Sequence, residues 1–326
     1  MSVTIHDVAR RANVSISTVS RAFTSPDLVR HQTRSRVLAA ASELGYHAAG
    51  APQPVARTGH IGIVVSDLGN PFFTGVLDGV QARARQDDVA VLFASSDQDP
   101  ATEQNLVRRM ARQVDGVVLG SPSLTDDQLR VLAGQTTLVL LNREVPGIPS
   151  IVMDAADGMR QAIEHLAALG HRRCAYLGGP RTSWANRARR QGLAEAAERH
   201  GTEVVEFGPF PPVFEGGLQG ADLALAADVT AIVAYNDLVA FGALARLNAR
   251  GVPVPDEISL VGFDDLVFAA ISAPPLTTIA MPTEAAGRAA VTILLDLLDG
   301  QADGRANQVL DTYLIVRATT APPASR

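Results

Sequence analysis

From Ile61 onward the sequence alternates short apolar runs with segments of helical period, and that alternation leaves few architectures open to the chain. The runs Gly62–Ser66, Ala90–Ala94, Gly116–Leu119, Leu138–Leu141, Ile151–Met153, Ala175–Leu177, Val204–Phe207, Ala231–Ala234 and Ser259–Gly262 read as strands. Helical segments separate most of them, among them Gly75–Arg85, Thr102–Gln113, Ala156–Leu169, Arg187–Glu198, Asp237–Arg250 and Thr283–Leu298. Repeated βα units predict parallel sheets covered by helices on both faces. About 260 residues of this pattern are more than one sheet usually holds, so two α/β lobes are expected. Ligands of such sheets bind at the carboxyl ends of the strands, which makes a site between the lobes the default.

The amino-terminal residues follow another pattern. Thr4 can cap a helix, with Asp7 three residues on at capping-box spacing, an Asp in place of the usual Glu or Gln. Asp7 also lies where the helix dipole favours negative charge. Ile5, Val8, Ala9 and Ala12 form one apolar stripe. Asn13 tolerates a left-handed turn, and Ser15 can cap a second helix in which Val19 and Phe23 share the buried face. Ile16, Ser17, Ser20 and Arg21 are left pointing outward. The small residues Ala9 and Ala12 allow the two helices to cross closely. A third helix is expected over Thr33–Leu44, with Val37, Leu38, Ala41 and Leu44 facing inward and Gly45 as its stop. Periodicity alone suits a small bundle with a solvated polar face. The outward side chains equally have the chemistry of an element laid into a DNA groove. His47 to Thr58, rich in Ala, Pro and Gly, reads as a linker.

Charge separates these possibilities. The net formal charge of −6 looks wrong for a DNA binder until it is divided. Residues 1–60 hold seven Arg against three acids, a net of +4, and the remainder carries −10. Positive charge is therefore concentrated on the helical head, and an acidic body repels phosphate and confines DNA contact to that head. All 28 basic residues are Arg. The single cysteine, Cys174, excludes an intramolecular disulfide framework and fits a reducing cytoplasm. It stands in the apolar stretch Ala175–Leu177 and reads as a core residue, not a nucleophile. No secretory leader or membrane-length apolar run is present, so the expected location is cytoplasmic. No nucleophile elbow, no phosphate loop with Lys and no His/Cys cluster at metal spacing points to an enzyme, a metal site or a cofactor.

Residue identities in the head carry more than their periodicity. Thr4-Ile5-His6-Asp7-Val8-Ala9, Ala12-Asn13-Val14-Ser15 and Thr18-Val19-Ser20-Arg21 closely resemble the amino-terminal signature of the lactose-repressor (LacI/GalR) family of bacterial transcription regulators. Val29, Thr33-Arg34, Val37 and Leu44-Gly45-Tyr46 extend the resemblance. Asn70-Pro71-Phe72-Phe73, Gly170-His171, Gly178-Gly179-Pro180, Asn236-Asp237, Gly262-Phe263-Asp264-Asp265 and Pro274–Ile279 continue it through the remainder. The resemblance implies an all-α helix-turn-helix head on an α/β two-lobe, periplasmic-binding-protein-like core. The divisions expected are a head at 1–46, a hinge at 47–59 and an effector-binding and dimerisation domain at 60–326. Within the last, lobe one takes about 60–158 and 282–308, and lobe two about 159–281 and 309–326.

The implied effector residues are Asn70, Phe72, Phe73, Trp184, Arg189, Asn236 and Asp264. Arg189 precedes Gly192 where the family holds its effector, and its planar fork suits carboxylate, phosphate or vicinal hydroxyls. With Arg187 and Arg190 beside it, it could instead be a solvated helix Arg. Asp264 and Asn236 each follow a strand and can bond hydroxyls; the other reading for Asp264 is a turn residue. Phe72 and Phe73 offer flat apolar surface, though core packing is a strong alternative for one of them. Trp184, the only Trp, lies in an irregular loop Gly178–Asn186 and suits stacking. The loop Phe207–Gly217 brings Phe210 and Phe214, either of which the resemblance could place over an effector. Ser183 and Ala185 lack the long polar side chains of purine-responsive members, which favours a sugar-like effector over a nucleobase or other metabolite.

The expected DNA contacts divide by chemistry. Ile16, Ser17 and Arg21 reach base edges, since Arg reads guanine bidentately and Ile suits a thymine methyl. Ser15, Thr18, Ser20 and Arg34 touch phosphate, and Thr4 joins the DNA-facing set. A homodimer places two second helices in successive major grooves of a near-palindromic operator. The ending Pro322-Pro323-Ala324-Ser325-Arg326 carries no heptads, so a coiled-coil tetramer is not expected. The rival to a regulator is a cytoplasmic solute-binding protein, which would lack salt-sensitive DNA affinity.

One stretch departs from the family. Members carry a hinge helix, Pro-Asn-x-x-Ala-Arg-x-Leu, whose Leu wedges into the minor groove. Here Val55 falls at the wedge position with Pro54 before it. Proline inside a helix costs roughly 3 kcal/mol, and Val is a shorter wedge. Either the helix starts late, at Pro52, or it does not form. The operator should then bend less than is typical of the family, which a gel-phasing measurement of the complex would check.

Overall fold

The computed structural model describes residues 3–24, 28–44, 46, 57–301 and 307–324. The chain divides into two compact units, 1–57 and 58–326. In the first, α1 (Ile5–Ala12), α2 (Ile16–Thr24) and α3 (His31–Leu44) enclose a small core of Val8, Ala9, Ala12, Val19, Ala22, Val37, Ala40 and Ala41. The Asp7 carboxylate accepts from both the backbone N–H and the hydroxyl of Thr4, at 2.9 and 2.7 Å. These bonds hold the Asp7 carboxyl below its ordinary value. Asn13 takes the left-handed conformation at φ +50° and ends α1. Phe23 meets Tyr46 edge to face, with ring centroids 6.3 Å apart.

The third helix corrects one sequence expectation. Leu38 is 39% exposed, and Ala40 is buried in its stead. Positions 37, 40, 41 and 44 follow the i, i+3, i+4, i+7 rule, whereas 38 lies about 100° round the helix from 37. The expected stop at Gly45 and residues 47–56 of the expected hinge 47–59, Val55 included, lie outside the described residues.

The second unit holds two six-stranded sheets, each flanked by helices. The first runs in the order β11-β5-β4-β3-β1-β2 and is parallel throughout. Its strands are β1 (His60–Val65), β2 (Ala90–Ser95), β3 (Gly116–Gly120), β4 (Thr137–Leu141), β5 (Ser150–Met153) and β11 (Asn307–Leu310). Helices α4 (Phe72–Ala84), α5 (Pro100–Met110) and α6 (Asp126–Ala133) connect them. The second sheet runs β12-β10-β9-β8-β6-β7, with β12 antiparallel to β10. It comprises β6 (Arg173–Leu177), β7 (Glu203–Phe207), β8 (Ala231–Ala234), β9 (Ser259–Asp264), β10 (Thr277–Ala280) and β12 (Tyr313–Ile315). Its helices are α7 (Ala155–Ala168), α8 (Trp184–His200), α9 (Phe214–Ala226), α10 (Asp237–Ala249) and the short α11 (Val267–Ile271), while α12 (Thr283–Leu298) packs back on α4.

The chain passes between the sheets three times, after Met153, after Ala280 and after Leu310. The outer two passages are tied together. Thr312 donates its hydroxyl to Asp154 O at 2.9 Å, and Gln161 bridges Thr312 O and Leu314 N–H. Cys174 is fully buried in β6, and burial pushes its thiol up to about 12, as suits a packing residue.

Helix α9 is not among the helical segments named from the sequence, because Gly216, Gly217 and Gly220 interrupt its apolar pattern. The glycines are there for packing. A side chain on Gly217 would collide with the Val239 carbonyl, and one on Gly242 with that of Phe214, so α9 and α10 cross backbone to backbone.

Candidate functional site

The loops that follow the strands of both sheets enclose a cavity of about 280 Å³. Asn70, Phe72, Phe73, Trp184, Arg189, Asn236 and Asp264 all line it. In the first lobe, Asn70 Oδ1 accepts from the Phe72 N–H at 3.0 Å and fixes the start of α4. Phe72 and Phe73 stand nearly perpendicular, with centroids 5.0 Å apart, and both also belong to the core.

The second lobe supplies the charged groups. Trp184 is the first residue of α8, not part of a loop, because the Ser183 hydroxyl caps that helix at the Asn186 N–H. Arg189, on the same helix, is only 3% exposed. Its guanidinium donates to Tyr235 O at 2.6 Å and to Asp264 Oδ1 at 3.2 Å. It lies 3.9 Å over the Phe263 ring and 4.5 Å over Tyr235. Arg187 and Arg190 take the solvent side, the latter paired with Glu206 at 2.9 Å. The solvated alternative thus applies to its neighbours and not to Arg189. Asn236 caps α10: its Oδ1 accepts from the Val239 N–H and its amide donates to Pro212 O. Most of its polarity is spent on backbone, and it shapes the wall as much as it offers bonds.

Asp264 closes β9 with φ at +118°, a backbone conformation that L side chains rarely adopt. Burial pushes its carboxyl up to about 7, against the pull of Arg189. Behind it, Asp237 is fully buried and accepts from the Thr278 hydroxyl at 2.6 Å and the Leu266 N–H at 2.8 Å. Burial and the neighbouring Asp264 raise its carboxyl well above the ordinary range.

The loop Phe207–Gly217 proves shorter than expected, since α9 starts at Phe214. Phe210 joins the core, Phe214 is 40% exposed, and Pro212 is the residue of this segment that lines the cavity.

On the head, three of the four residues expected to point outward, Ile16, Ser17 and Arg21, are exposed, and Ser20 is half-buried. Ile16 is 42% exposed, and Ser17, Arg21 and Arg34 are exposed. Thr18 and Ser20 are half-buried. Ser15 caps α2 at the Thr18 N–H, 3.1 Å away, and its hydroxyl also meets those of Ser17 and Thr18.

Residues 4–49 match the family described as bacterial regulatory proteins, lacI family, and residues 163–320 match the periplasmic binding protein-like domain. The HTH-type transcriptional repressor CytR of Escherichia coli K12 is 33% identical over 98% of this chain and 96% of its own length. The chain belongs to the LacI family. It is therefore a DNA-binding transcriptional regulator and not an enzyme. Among solved structures, the transcriptional regulator CelR–cellobiose complex superposes with a TM-score of 0.73 and 33% identity, over 97% of this chain and 99% of that one. The lac repressor dimer bound to operator and the anti-inducer ONPF gives 0.74 and 30%, over 98% and 100%.

This LacI-family cavity has polar residues that the sequence did not single out. Ser66, Ser121, Ser123 and Asn142 come from turns after β1, β3 and β4, and Tyr235 follows β8. None belongs to a motif; their shared signal is position just past a strand end. The Ser121–Leu124 turn is held from behind, where buried Glu103 accepts from the Ser123 and Leu124 N–H groups and buried Arg143 pairs with Asp126 at 2.6 Å. Among the described residues, no group of His, Cys, Asp and Glu is placed to hold a metal, and no helix is long and apolar enough to cross a membrane.

Proposed function

We propose that the protein is a homodimeric, cytoplasmic repressor that binds a near-palindromic operator through α2 and is switched by a sugar-like effector held between its two lobes. The observation that carries this reading is the cavity itself, in which Arg189, Asp264, Asn236 and Trp184 from one lobe face Asn70, Phe72 and Phe73 from the other. A ligand touching both walls stabilises the closed arrangement and changes how the heads are held. Such coupling is typically about 1–3 kcal/mol. The cellobiose complex of CelR supports a sugar over a nucleobase. On this reading Ile16, Ser17 and Arg21 contact bases; Thr4, Ser15, Thr18, Ser20 and Arg34 position the head on the backbone; and Val55 faces the minor groove. The test is an operator selected from random duplexes, titrated at several salt concentrations with and without each of a panel of sugars. Affinity should fall steeply with salt and shift with one sugar. Salt-insensitive or absent DNA binding would exclude the reading.

Dimerisation has a structural correlate. Val267 and Ile271 on α11 are 70% and 73% exposed, with Phe268 between them, an apolar surface suited to a second copy. Val267→Asp with Ile271→Glu should convert the dimer to monomer in sedimentation equilibrium and leave the melting temperature of the cavity-bearing unit nearly unchanged.

The raised Asp264 carboxyl gives effector binding a pH dependence. A ligand hydroxyl donating to Asp264 favours the ionised form, so binding releases a proton. Affinity should then rise from pH 6 to pH 8 by up to about tenfold, and flatten above. Calorimetric titration in buffers of different ionisation enthalpy would read the released proton directly. A pH-independent Kd would show that the effector avoids this carboxylate.

A further inference from the structure

The body behind the head is acidic overall, but its charge is unevenly placed. Helix α5 starts at the cavity, where Pro100 lines the wall, and runs to the opposite end of the first lobe. Arg108 and Arg109 occupy its last turn, and Arg112 lies just past it. All three are exposed, and none has a hydrogen bond or ion pair with another described residue. Elsewhere on this unit every described Arg except Arg181 is bonded through its side chain. The helix dipole favours a cation in the last turn, which accounts for Arg108 or Arg109 but not for Arg112 outside it. Arg108 and Arg112, four residues apart, repel each other, and an anion bound to both removes that cost.

The end of the lobe that carries these Arg is also where the linker enters. Asp115, just before β3, accepts from the Thr58 and Gly59 N–H groups at 2.7 and 3.1 Å, and its own N–H donates to His60 O at 2.8 Å. The Ala90 N–H donates to Gly59 O at 2.9 Å, which brings the turn before β2 to the same end. The acids there are largely committed. Asp115 holds the linker, Asp87 is paired with Arg83, and Asp88 stays exposed against three Arg. The linker comes from the DNA-binding head. From Tyr46 to Thr58 the chain spans at most about 40 Å. One turn of duplex is about 34 Å, so phosphates flanking the operator fall within the reach of the chain. The planar fork of Arg suits phosphate oxygens and reads no sequence there.

We propose that Arg108, Arg109 and Arg112 form a second, sequence-independent DNA contact, carried by the first lobe and made with backbone phosphates that flank the operator. This rests on the reading that α2 holds the operator. It departs from the expectation that the acidic body confines DNA contact to the head, because a sum over the whole body hides a local excess of positive charge.

The test is fluorescence anisotropy of the full chain on the selected operator in two lengths, across a salt series. One duplex of about 20 bp ends at the half-sites, and the other, of about 40 bp, adds unrelated flanks. The parent protein should bind the longer duplex at least about tenfold more tightly at low salt. Its salt slope there should be steeper by up to about five, at about 0.9 per phosphate contact for the three Arg of both protomers. Arg108→Gln with Arg109→Gln and Arg112→Gln should remove most of that preference and that extra slope, and leave the short duplex within about twofold. Lys at the same three positions keeps the charge and should keep most of the preference. Arg181→Gln, which removes an exposed charge elsewhere on the unit, should change neither duplex. Circular dichroism should show the fold intact in each variant, since all the altered side chains are exposed. Equal weakening of the triple Gln variant on both lengths would place these Arg against the head or the linker and overturn the proposal. Unaltered binding on both lengths would overturn it too, and is the result expected if the patch takes an acidic protein instead. A parent protein that binds neither duplex overturns the operator reading and this proposal together.

Discussion

Arg21→Ala will weaken operator binding about 10²–10⁴-fold in the dimer and flatten the sequence preference at one base pair of each half-site. The magnitude follows from the proposed role of Arg21, in which each head loses one bidentate guanine contact of about 1–3 kcal/mol, taken twice by symmetry. Arg34→Ala should differ in kind. A phosphate contact carries no sequence information, so its loss should weaken all duplexes alike and reduce the salt slope by about one per head. Both side chains are exposed, and the head's core of Val8, Val19, Val37 and their small neighbours contains neither, so the fold should survive each change. Circular dichroism of the variants checks that, and fluorescence anisotropy on selected and scrambled duplexes separates the two behaviours. If Arg21→Ala loses affinity without losing discrimination, Arg21 is a backbone contact and the base-reading role passes to Ile16 and Ser17.

The head was legible because its information is local. Capping residues, a left-handed Asn13 and an apolar stripe each act within a turn or two, and the structure reproduces them residue by residue. Leu38 departs from the sequence expectation where local periodicity is weakest, on a helix with Ala at two of its four inward positions. The core was legible as an alternation, and its strand ends located the cavity, because parallel sheets gather loops from distant sequence at one edge. Two kinds of feature escaped. Helix α9 was hidden by glycines whose purpose is a close crossing with α10, a tertiary cause with no local trace. Ser66, Ser121, Ser123 and Asn142 escaped because isolated small polar residues after strands are ordinary turn residues in sequence; only the assembled sheet order brings them to one wall. Conversely, Arg189 stood among three closely spaced Arg in sequence, and burial alone tells it from the other two.

Arg189→Met is expected to abolish the effector response while leaving operator binding in the absence of effector unchanged. Among the described residues the guanidinium is the one buried cation lining the cavity, and on the proposed effector reading the loss of a charge-assisted bond from it to the ligand should cost about 1.5–3 kcal/mol, or about 10–150-fold in effector affinity. Met keeps much of the apolar contact over Phe263 and Tyr235, so the change isolates charge from packing. The same substitution has a signature in stability. Asp264 binds its proton more tightly folded than unfolded, with a folded value of about 7 against 3.8. The native state therefore holds more protons than the unfolded state across that window, and stability falls as pH rises through it, levelling about one unit above pH 7. Without Arg189 the folded carboxyl moves higher still, because the group that lowered it is gone. The decline should then extend further past neutrality, so that between pH 7 and 8 the variant loses more stability per pH unit than the parent protein, towards the limit of about 1.4 kcal/mol per unit for one proton. Urea unfolding at pH 6, 7 and 8 measures the difference, and Arg189→Met with Asp264→Asn should abolish the extra slope, since the titrating group is then absent. A variant that keeps its effector response, or whose stability runs parallel to the parent's above pH 7, would show that the Arg189–Asp264 pair is neither the ligand's anchor nor the source of the pH term.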